Sequence, residues 1–319
     1  MVKKEPLVSV IIPCYNVSAY VSRAIQSIIN QTYTNIEVWI IDDASTDDTL
    51  DKIKLFKDAR INLVLFKQNT QKIGAVNDVL KKVKGDFICF QDSDDWSAPK
   101  RIEKQLQQFL NIQELGICFT GYNRSGDKSD SPLPISLSNE DLRDEFIYFG
   151  NKRNNHFHAT CCPSMMISKA VLIDFSGYDT YFIGRVGEDI HWIYKILKKY
   201  QGITVNEHLY NYTVRKDSLT GNQFMGNNPR AAYAWELLAK IIQKDIYEGI
   251  DLLSESNSEL LSSIELESCE EALIKTILQK NKIIVMYKSS LSMLIGKSIL
   301  APFHFIIYII KNKIFVKKY

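Results

Sequence analysis

No Cys-x-x-Cys pair occurs among the six cysteines of this chain. Cys14, Cys89 and Cys118 each lie in or beside an apolar run, where a thiol behaves as a small hydrophobe. The adjacent Cys161 and Cys162 are poor partners for each other, so a reduced, cytosolic protein is expected. No Gly-x-x-x-x-Gly-Lys-Ser/Thr loop is present, which excludes a P-loop nucleotidase. Neither sign of charge is in excess: 39 basic against 37 acidic residues leave +2, which implies no polyanion and no nucleic acid as partner. Met1 to Pro6 is polar and the first apolar run, Leu7 to Pro13, is short, so no secretory leader is expected.

What is present is apolar and patterned. With 45% hydrophobic residues in 319, the chain can build one large core plus an appended domain or tail. Its organising stretch is Gly85 to Pro99. Phe87 to Phe90 reads as a buried strand, and Asp92, Asp94 and Asp95 follow it at once. Three acids in four residues repel one another unless a cation sits among them. A solvated acidic turn is the plain account. The alternative is a hard divalent cation, Mg2+ or Mn2+, held by Asp-x-Asp where an open α/β sheet usually binds ligands.

The rest of the chain alternates in the same manner. Leu7 to Ile12 is a β-branched strand ended by Pro13, and Cys14-Tyr15-Asn16 turns from it without a glycine. Ser18 is placed to cap a helix with Val21, Ala24, Ile25, Ile28 and Ile29 on one face. Ile36 to Ile41 is a second strand, followed by Asp42-Asp43-Ala44-Ser45-Thr46-Asp47-Asp48-Thr49. Capping of the next helix accounts for Asp47 and Asp48, but not for Asp42 and Asp43 at the strand end. Strands are expected at Ile61–Phe66 and Gly116–Thr120, and helices over Gln71–Lys84, from Pro99, and over Asn139–Phe149. Tyr122–Ser138 is polar and reads as a functional loop. Glu188 and Asp189 open a helix bearing Ile190, Ile193, Ile196 and Leu197, where acids also suit the helix dipole. This order predicts a nucleotide-binding α/β domain with a largely parallel sheet.

The end of the chain changes character. Asn228 to Lys280 is helical in pattern, with a Ser-rich break near Ser254–Ser258. Ser292 to Ile310 is strongly apolar but interrupted by Lys297, Pro302 and His304, and lysines follow. A spanning helix needs ~20 uninterrupted apolar residues. A membrane-surface segment and a helical hairpin packed on the protein both fit.

The ordered set Val8-Ser9-Val10-Ile11-Ile12-Pro13-Cys14-Tyr15-Asn16, Gln31-Thr32-Tyr33, Asp42 to Thr49, Gly85-Asp86-Phe87-Ile88, Asp92-Ser93-Asp94-Asp95 and Gly187-Glu188-Asp189 resembles the family 2 glycosyltransferases over roughly residues 7–220. The resemblance implies a GT-A fold: a Rossmann-like, mostly parallel sheet flanked by helices over 1–222. A C-terminal helical region, 223–319, would follow, with a membrane-associated tail from about 283. It implies inverting transfer from a UDP-sugar with Mn2+ or Mg2+. Pro13 and Tyr15 would flank the nucleobase, unless Tyr15 packs in the core. Asp43 would accept the uracil N–H, Asp92 would bind the ribose or donor sugar, and Asp94 would ligate the metal. Asp189 would be the general base and Glu188 an acceptor or orienting contact. The acceptor implied is a lipid-linked oligosaccharide or lipopolysaccharide at the inner face of the cell membrane, reached through the tail.

The chain also departs from the pattern. Ala75-Val76-Asn77 stands where the family often has Ala-Arg-Asn, so a basic diphosphate contact is missing, with Lys72 or Arg101 as substitutes. Val214-Arg215-Lys216-Asp217-Ser218 keeps a basic residue of Tyr-Arg-x-His-x-x-Ser but lacks the histidine, which leaves Arg215 or Lys216 to hold phosphate. The Gln-x-x-Arg-Trp of processive synthases is absent, which favours one sugar per encounter. Two alternatives remain at this point. A sugar-phosphate nucleotidylyltransferase would want a glycine-rich loop after the first strand. A catalytically silent sugar-nucleotide or membrane scaffold protein would not need the retained carboxylates.

Overall fold

The β-branched run at the start of the chain does become the central strand of a sheet, in a computed structural model that describes residues 5–125, 142, 162–215 and 229–288. Strands β1 (Val8–Cys14), β2 (Ile36–Asp42), β3 (Ile61–Leu65) and β4 (Phe87–Phe90) lie parallel in the order β3-β2-β1-β4. Helices α1 (Val21–Ile29), α2 (Thr49–Lys54) and α3 (Gln71–Leu80) connect them. Both faces of β1 are sealed, with Val8, Val10, Ile11 and Ile12 all at 0% exposure. Alternate residues serve opposite cores, as the two-residue period of a strand requires. Val10, Ile12, Val38 and Ile40 pack with Val21, Ile25 and Ile28 of α1. Ile11, Ile41, Ile88 and Phe90 pack with Val76 and Val79 of α3. Each such fully buried side chain contributes roughly 1.5–3 kcal/mol.

The sheet continues past β4 in a mixed sense. The remaining strands are β5 (Trp96–Ser97), β6 (Leu115–Ser125), β7 (Met166–Ser168) and β8 (Gln201–Thr213). The full order is β3-β2-β1-β4-β7-β6-β8-β5, with β7 antiparallel to both β4 and β6, and β8 parallel to β6. Helix α4 (Arg101–Asn111) precedes β6, α5 (Lys169–Phe175) follows β7, and α6 (Glu188–Lys199) precedes β8. Two more helices, α7 (Pro229–Glu248) and α8 (Ser258–Lys288), complete the described chain and are separated near the Ser-rich break. Leu237, Leu238, Ile241 and Ile242 of α7 join Trp192, Ile193 and Ile196 of α6 in the core.

Several local expectations change. The third helix stops at Leu80 rather than Lys84. Residues Tyr122–Ser125, expected in a loop, extend β6 because they pair with Tyr210–Thr213 of β8. Ser18 does not cap α1: its N–H donates to Asp47, and its carbonyl accepts from Lys52. Apart from Leu142, which is buried in the core, the helix expected over Asn139–Phe149 lies outside the described residues, as does Ser292–Ile310. The chain divides into two compact units between Leu266 and Glu267. The first holds the sheet, and the described part of the second is the remainder of α8. Among the described residues no helix is long and apolar enough to cross a membrane.

Candidate active site

The site forms where the parallel strands end, and the loops there are tied to one another. After β1, Asn16 takes a left-handed backbone, φ 50°, which its short polar side chain tolerates. Its Oδ1 accepts the Thr46 N–H at 2.8 Å, and its own N–H donates to Ser45 Oγ at 3.1 Å. Asp47 accepts the backbone N–H groups of Thr49 and Ser18. Burial opposes its charge, but these hydrogen bonds outweigh burial and hold its pKa down to about 2. The capping account therefore fits Asp47, whereas Asp48 makes no side-chain cap. Asp43 is buried and its Oδ1 accepts both the N–H and the hydroxyl of Thr70, at 2.8 and 2.9 Å. Tyr15 is 47% exposed beside this loop, so core packing is not its role.

The acids after β4 rest on a buried polar platform. Arg101 is fully buried, and its guanidinium donates to the Phe90 carbonyl, Gln91 Oε1, Ser97 Oγ and Gln105 Oε1. All four acceptors are neutral. The Arg101 guanidinium also lies 4.9 Å from the Tyr210 ring, whose hydroxyl accepts the Asp92 N–H at 3.1 Å. Arg101 thus shapes the acidic turn from beneath and is sealed from the cleft. Above it, Thr213 ties down the turn: its N–H donates to Asp95 Oδ1 and its hydroxyl to the Asp94 carbonyl. Arg23 donates to the same carbonyl and stacks on Trp96.

Asp92, Asp94 and Asp95 bring one carboxylate oxygen each within 4.8 Å of the others. Burial and then repulsion from Asp92 raise the Asp94 pKa, against the pull of Arg215 and Lys72. Asp95 is raised well above the ordinary range by burial, then by Asp94 and Asp92. Its buried Oδ2 has no hydrogen-bond partner. Clustered oxygen donors, mutual repulsion and an unsatisfied buried oxygen are the conditions a hard divalent cation relieves, so the donor set fits one. Arg215 Nε stands 3.0 Å from Asp94 Oδ2. Lys216 lies outside the described residues.

The facing wall comes from α3 and the start of α6. Asn77 pairs with the backbone of Tyr178 through both atoms of its amide, at 2.8 and 2.9 Å. Gly177 precedes that residue with φ 125°, and a Cβ there would meet Asn77 Oδ1 at 2.5 Å. Gly187, φ 104°, ends this segment against Leu238, and the helix that starts after it brings Asp189 to the cleft, with Glu188 beside it. Asp189 Oδ1 accepts the Ile190 N–H. Burial, then Asp189, raise the Glu188 pKa to about 7, although Lys72 opposes the shift. Complementing a helix dipole would move it the other way. Lys72 Nζ lies 3.7 Å from Asp92 Oδ1 and 3.7 Å from Glu188 Oε1, bridging the two walls. Burial works against its charge, but Asp92, Tyr178, Glu188 and Asp189 together push its pKa well above the ordinary lysine value.

Between these walls is a narrow cleft lined by Pro13, Lys72, Val76, Asp92, Tyr178 and Asp189 among others. The structure thus brings together Pro13, Asp92, Glu188 and Asp189, with Asp94 and Arg215 adjoining through the acidic turn. Asp43 and Tyr15 stand at the loops that follow β2 and β1. Sequence reasoning missed Asn77, Tyr210 and Thr213 as supports, and did not place Lys72. The spacing held one clue: Lys72 and Val76 are four apart, so they share a helix face.

The sequence profile of Glycosyl transferase family 2 matches residues 9–175, just over half of the chain. The UDP-Glc:alpha-D-GlcNAc-diphosphoundecaprenol beta-1,3-glucosyltransferase WfaP of Escherichia coli is 41% identical over 118 residues. That match covers 36% of this chain and 46% of WfaP, less than half of that relative's length. Among solved structures, S. aureus TarS 1-349 in complex with UDP superposes with a TM-score of 0.56 at 18% identity, over 82% of this chain and 70% of that one. The mannosyltransferase PcManGT of Pyrobaculum calidifontis, in complex with GDP-Man and Mn2+, gives 0.54 at 19% identity, over 89% and 81%.

Proposed function

The chain belongs to glycosyl transferase family 2 and has the GT-A fold, and from that premise we propose that it is an inverting, metal-dependent transferase moving one sugar from a UDP-sugar to a lipid-linked oligosaccharide or lipopolysaccharide acceptor. One observation carries the reading. Asp92, from an acidic cluster suited to a divalent cation, and Asp189 line a single cleft, and Lys72 in the same lining lies 3.7 Å from both Asp92 and Glu188.

Asp94, with Asp92 and Asp95 beside it, would hold Mn2+ or Mg2+. The bound ion would offset negative charge on the diphosphate. Asp43 spends one carboxylate oxygen on Thr70, which leaves the other for a base N–H such as the uracil imide. Pro13 and the half-exposed Tyr15 would flank that base, and Asp92 would contact the ribose or sugar. Arg215, now against Asp94, would turn its guanidinium to phosphate oxygens. Asp189 would take the proton of the acceptor hydroxyl as its oxygen bonds to the anomeric carbon. The carbon–oxygen bond to phosphate breaks on the opposite face, and its electron pair leaves with UDP. Glu188 would orient the acceptor, donating or accepting as its proton allows. These residues all fall within 1–222, and the helical region 223–319 would bring the enzyme to a cytoplasmic membrane face.

Support for the donor and acceptor comes from relatives: TarS holds UDP, and the name of WfaP specifies UDP-Glc and a diphosphoundecaprenol acceptor. PcManGT holds GDP-Man, so the fold by itself does not select the base. The deciding experiment presents radiolabelled UDP- and GDP-sugars to the purified protein and measures slow transfer to water. A UDP-sugar should be hydrolysed, the reaction should stop on chelation, and Mn2+ should restore it. Turnover that persists after exhaustive chelation, or of GDP-sugars alone, would overturn the reading.

A further inference from the structure

The body of α6 is fixed by the core, where Ile190, Trp192, Ile193 and Ile196 are all buried, but its first turn is less enclosed. Glu188 and Asp189 are only partly buried there, and Gly187 before them supplies no side-chain cap. An uncapped helix start is held in place by the chain that enters it. That chain is the segment from Tyr178 to Gly187, bounded by glycines in the left-handed region, Gly177 at φ 125° and Gly187 at φ 104°. On one side α3 holds it at two points. Asn77 pairs with the backbone of Tyr178, and Gln71 Oε1 accepts the Gly184 N–H at 2.6 Å.

On the other side two of its side chains meet one acid of α8. The Tyr181 hydroxyl donates to Glu265 Oε1, and Arg185 Nη2 donates to the same oxygen at 3.2 Å. Arg185 Nη1 also donates to the Tyr181 carbonyl at 2.9 Å, and the guanidinium lies 4.4 Å from the centre of the Tyr181 ring. The three residues thus close a circuit around a single carboxylate oxygen. Burial, then Glu265, push the Tyr181 hydroxyl well above its ordinary pKa, so it stays a donor. Glu265 is itself fixed: Ile264 beside it is 6% exposed and packs in the same core as α6, within the first compact unit. The Arg185 and Glu265 side chains are 41% and 27% exposed, and such an ion pair contributes only ~0–1 kcal/mol to stability. Its effect is on position. Phe182, between the two anchored residues, is buried and lies 5.1 Å from the His191 ring of α6. Arg185 is followed by Val186, Gly187 and then the acid pair. A shift of this stretch therefore passes directly to the first turn of α6.

We propose that Glu265 is a positioning residue for transfer: by gathering Tyr181 and Arg185 on one carboxylate, it fixes the segment that enters α6 and keeps Asp189 where it takes the acceptor proton. The proposal rests on the transferase reading above, with Asp189 as the base. It ties the catalytic cleft to the C-terminal helical region, through residues that all lie beyond the span matched by the family profile.

The test measures hydrolysis of radiolabelled UDP-sugars, with Mn2+ present and water as acceptor, by full-length wild type, Glu265→Ala, Glu265→Gln and Tyr181→Phe. A base displaced by about 1 Å costs up to about a hundredfold in rate. Glu265→Ala should therefore lower kcat about ten- to a hundredfold, with donor KM, UDP affinity by calorimetry and melting temperature unchanged. Glu265→Gln keeps an oxygen that accepts from Tyr181 and should recover most of the rate. Tyr181→Phe keeps the packed ring, removes only the hydroxyl and should also lower kcat, which keeps the test decisive even if Glu265→Ala fails to fold. Placed in Asp189→Asn, Glu265→Ala should cost nothing further, because it acts through that residue. Wild-type kcat in folded Glu265→Ala or in Tyr181→Phe would overturn the proposal alone. An undiminished loss in the Asp189→Asn background would overturn it too, as would parallel losses of kcat and UDP affinity with a lowered melting temperature, which would make Glu265 a structural brace. Wild type that hydrolyses no UDP-sugar removes the transferase reading and the proposal with it.

Discussion

Replacing Glu188 by glutamine should stabilise the metal-free, donor-free protein at alkaline pH and do little at acid pH. The folded protein raises this carboxyl from an ordinary 4.5 to about 7, through burial first and Asp189 second, with Lys72 opposing. At ~1.4 kcal/mol per tenfold change in proton affinity, the interval from 4.5 to 7 corresponds to about 3 kcal/mol. The sign follows from proton binding. Between those two values the folded state holds the Glu188 proton and the unfolded state has released it, so stability falls as pH rises. Below 4.5 both states are protonated and the penalty vanishes; above about 7 it is complete. Glutamine keeps the shape and never ionises, and Lys72 still has Asp92 beside it. Urea denaturation with chelator present, at steps from pH 4.5 to pH 8, reads the difference directly. Glu188→Gln should match wild type at the acid end and exceed it by up to about 3 kcal/mol at the alkaline end. A gap that stays constant across the range would refute the reasoning. A variant weaker than wild type at alkaline pH would show that the attraction of Lys72 outweighs burial.

Asp94→Asn should weaken Mn2+ binding in calorimetry at least tenfold, the loss of a charged oxygen ligand, while metal-free stability holds or rises because it removes a carboxylate that burial and Asp92 disfavour; unchanged Mn2+ affinity would exclude Asp94 as a ligand. Asp189→Asn should lower kcat about 100- to 10,000-fold with UDP affinity intact. Near-normal turnover would leave it only a helix-dipole role of ~0.3–1 kcal/mol. Deleting Ser292–Tyr319 should release the protein from membranes in fractionation and spare donor hydrolysis. Full-length protein already wholly in the supernatant at low salt would contradict the membrane role of the tail.

How far the sequence reached depended on the range of the forces involved. A strand in a parallel sheet is buried on both faces by neighbours on either side, so Val8–Ile12, Ile36–Ile41 and Phe87–Phe90 announce themselves as apolar runs. Once these three are adjacent and parallel, the residues at their carboxyl ends must share one edge. Asp43 and Asp92 were therefore legible as acids at strand ends, whereas their grouping with Pro13 around a nucleotide came from the family resemblance. Glu188 and Asp189 open an apolar-striped helix, a pattern that helix-dipole complementarity also explains, and it was the resemblance that singled them out as site residues. The long strand Gln201–Thr213 was not expected: its polar residues pair with the polar end of β6, and no apolar run marks it.

The sequence by itself determined the α/β alternation, the parallel half of the sheet, and which acids stand at strand and helix ends. These depend on the local period of burial, which neighbouring residues report. Only the tertiary structure decided which charges meet. Lys72 and Arg101 are both basic residues at the start of helices that flank the acidic stretch. One projects into the cleft between Asp92 and Glu188; the other is buried under the turn on neutral oxygens. Arg215 reaches Asp94 only because β8 returns beside β5 and Thr213 anchors its end to Asp95. Coulombic pairing acts between residues far apart in the chain, and its partners are set by how the sheet and helices pack. No local pattern carries that information.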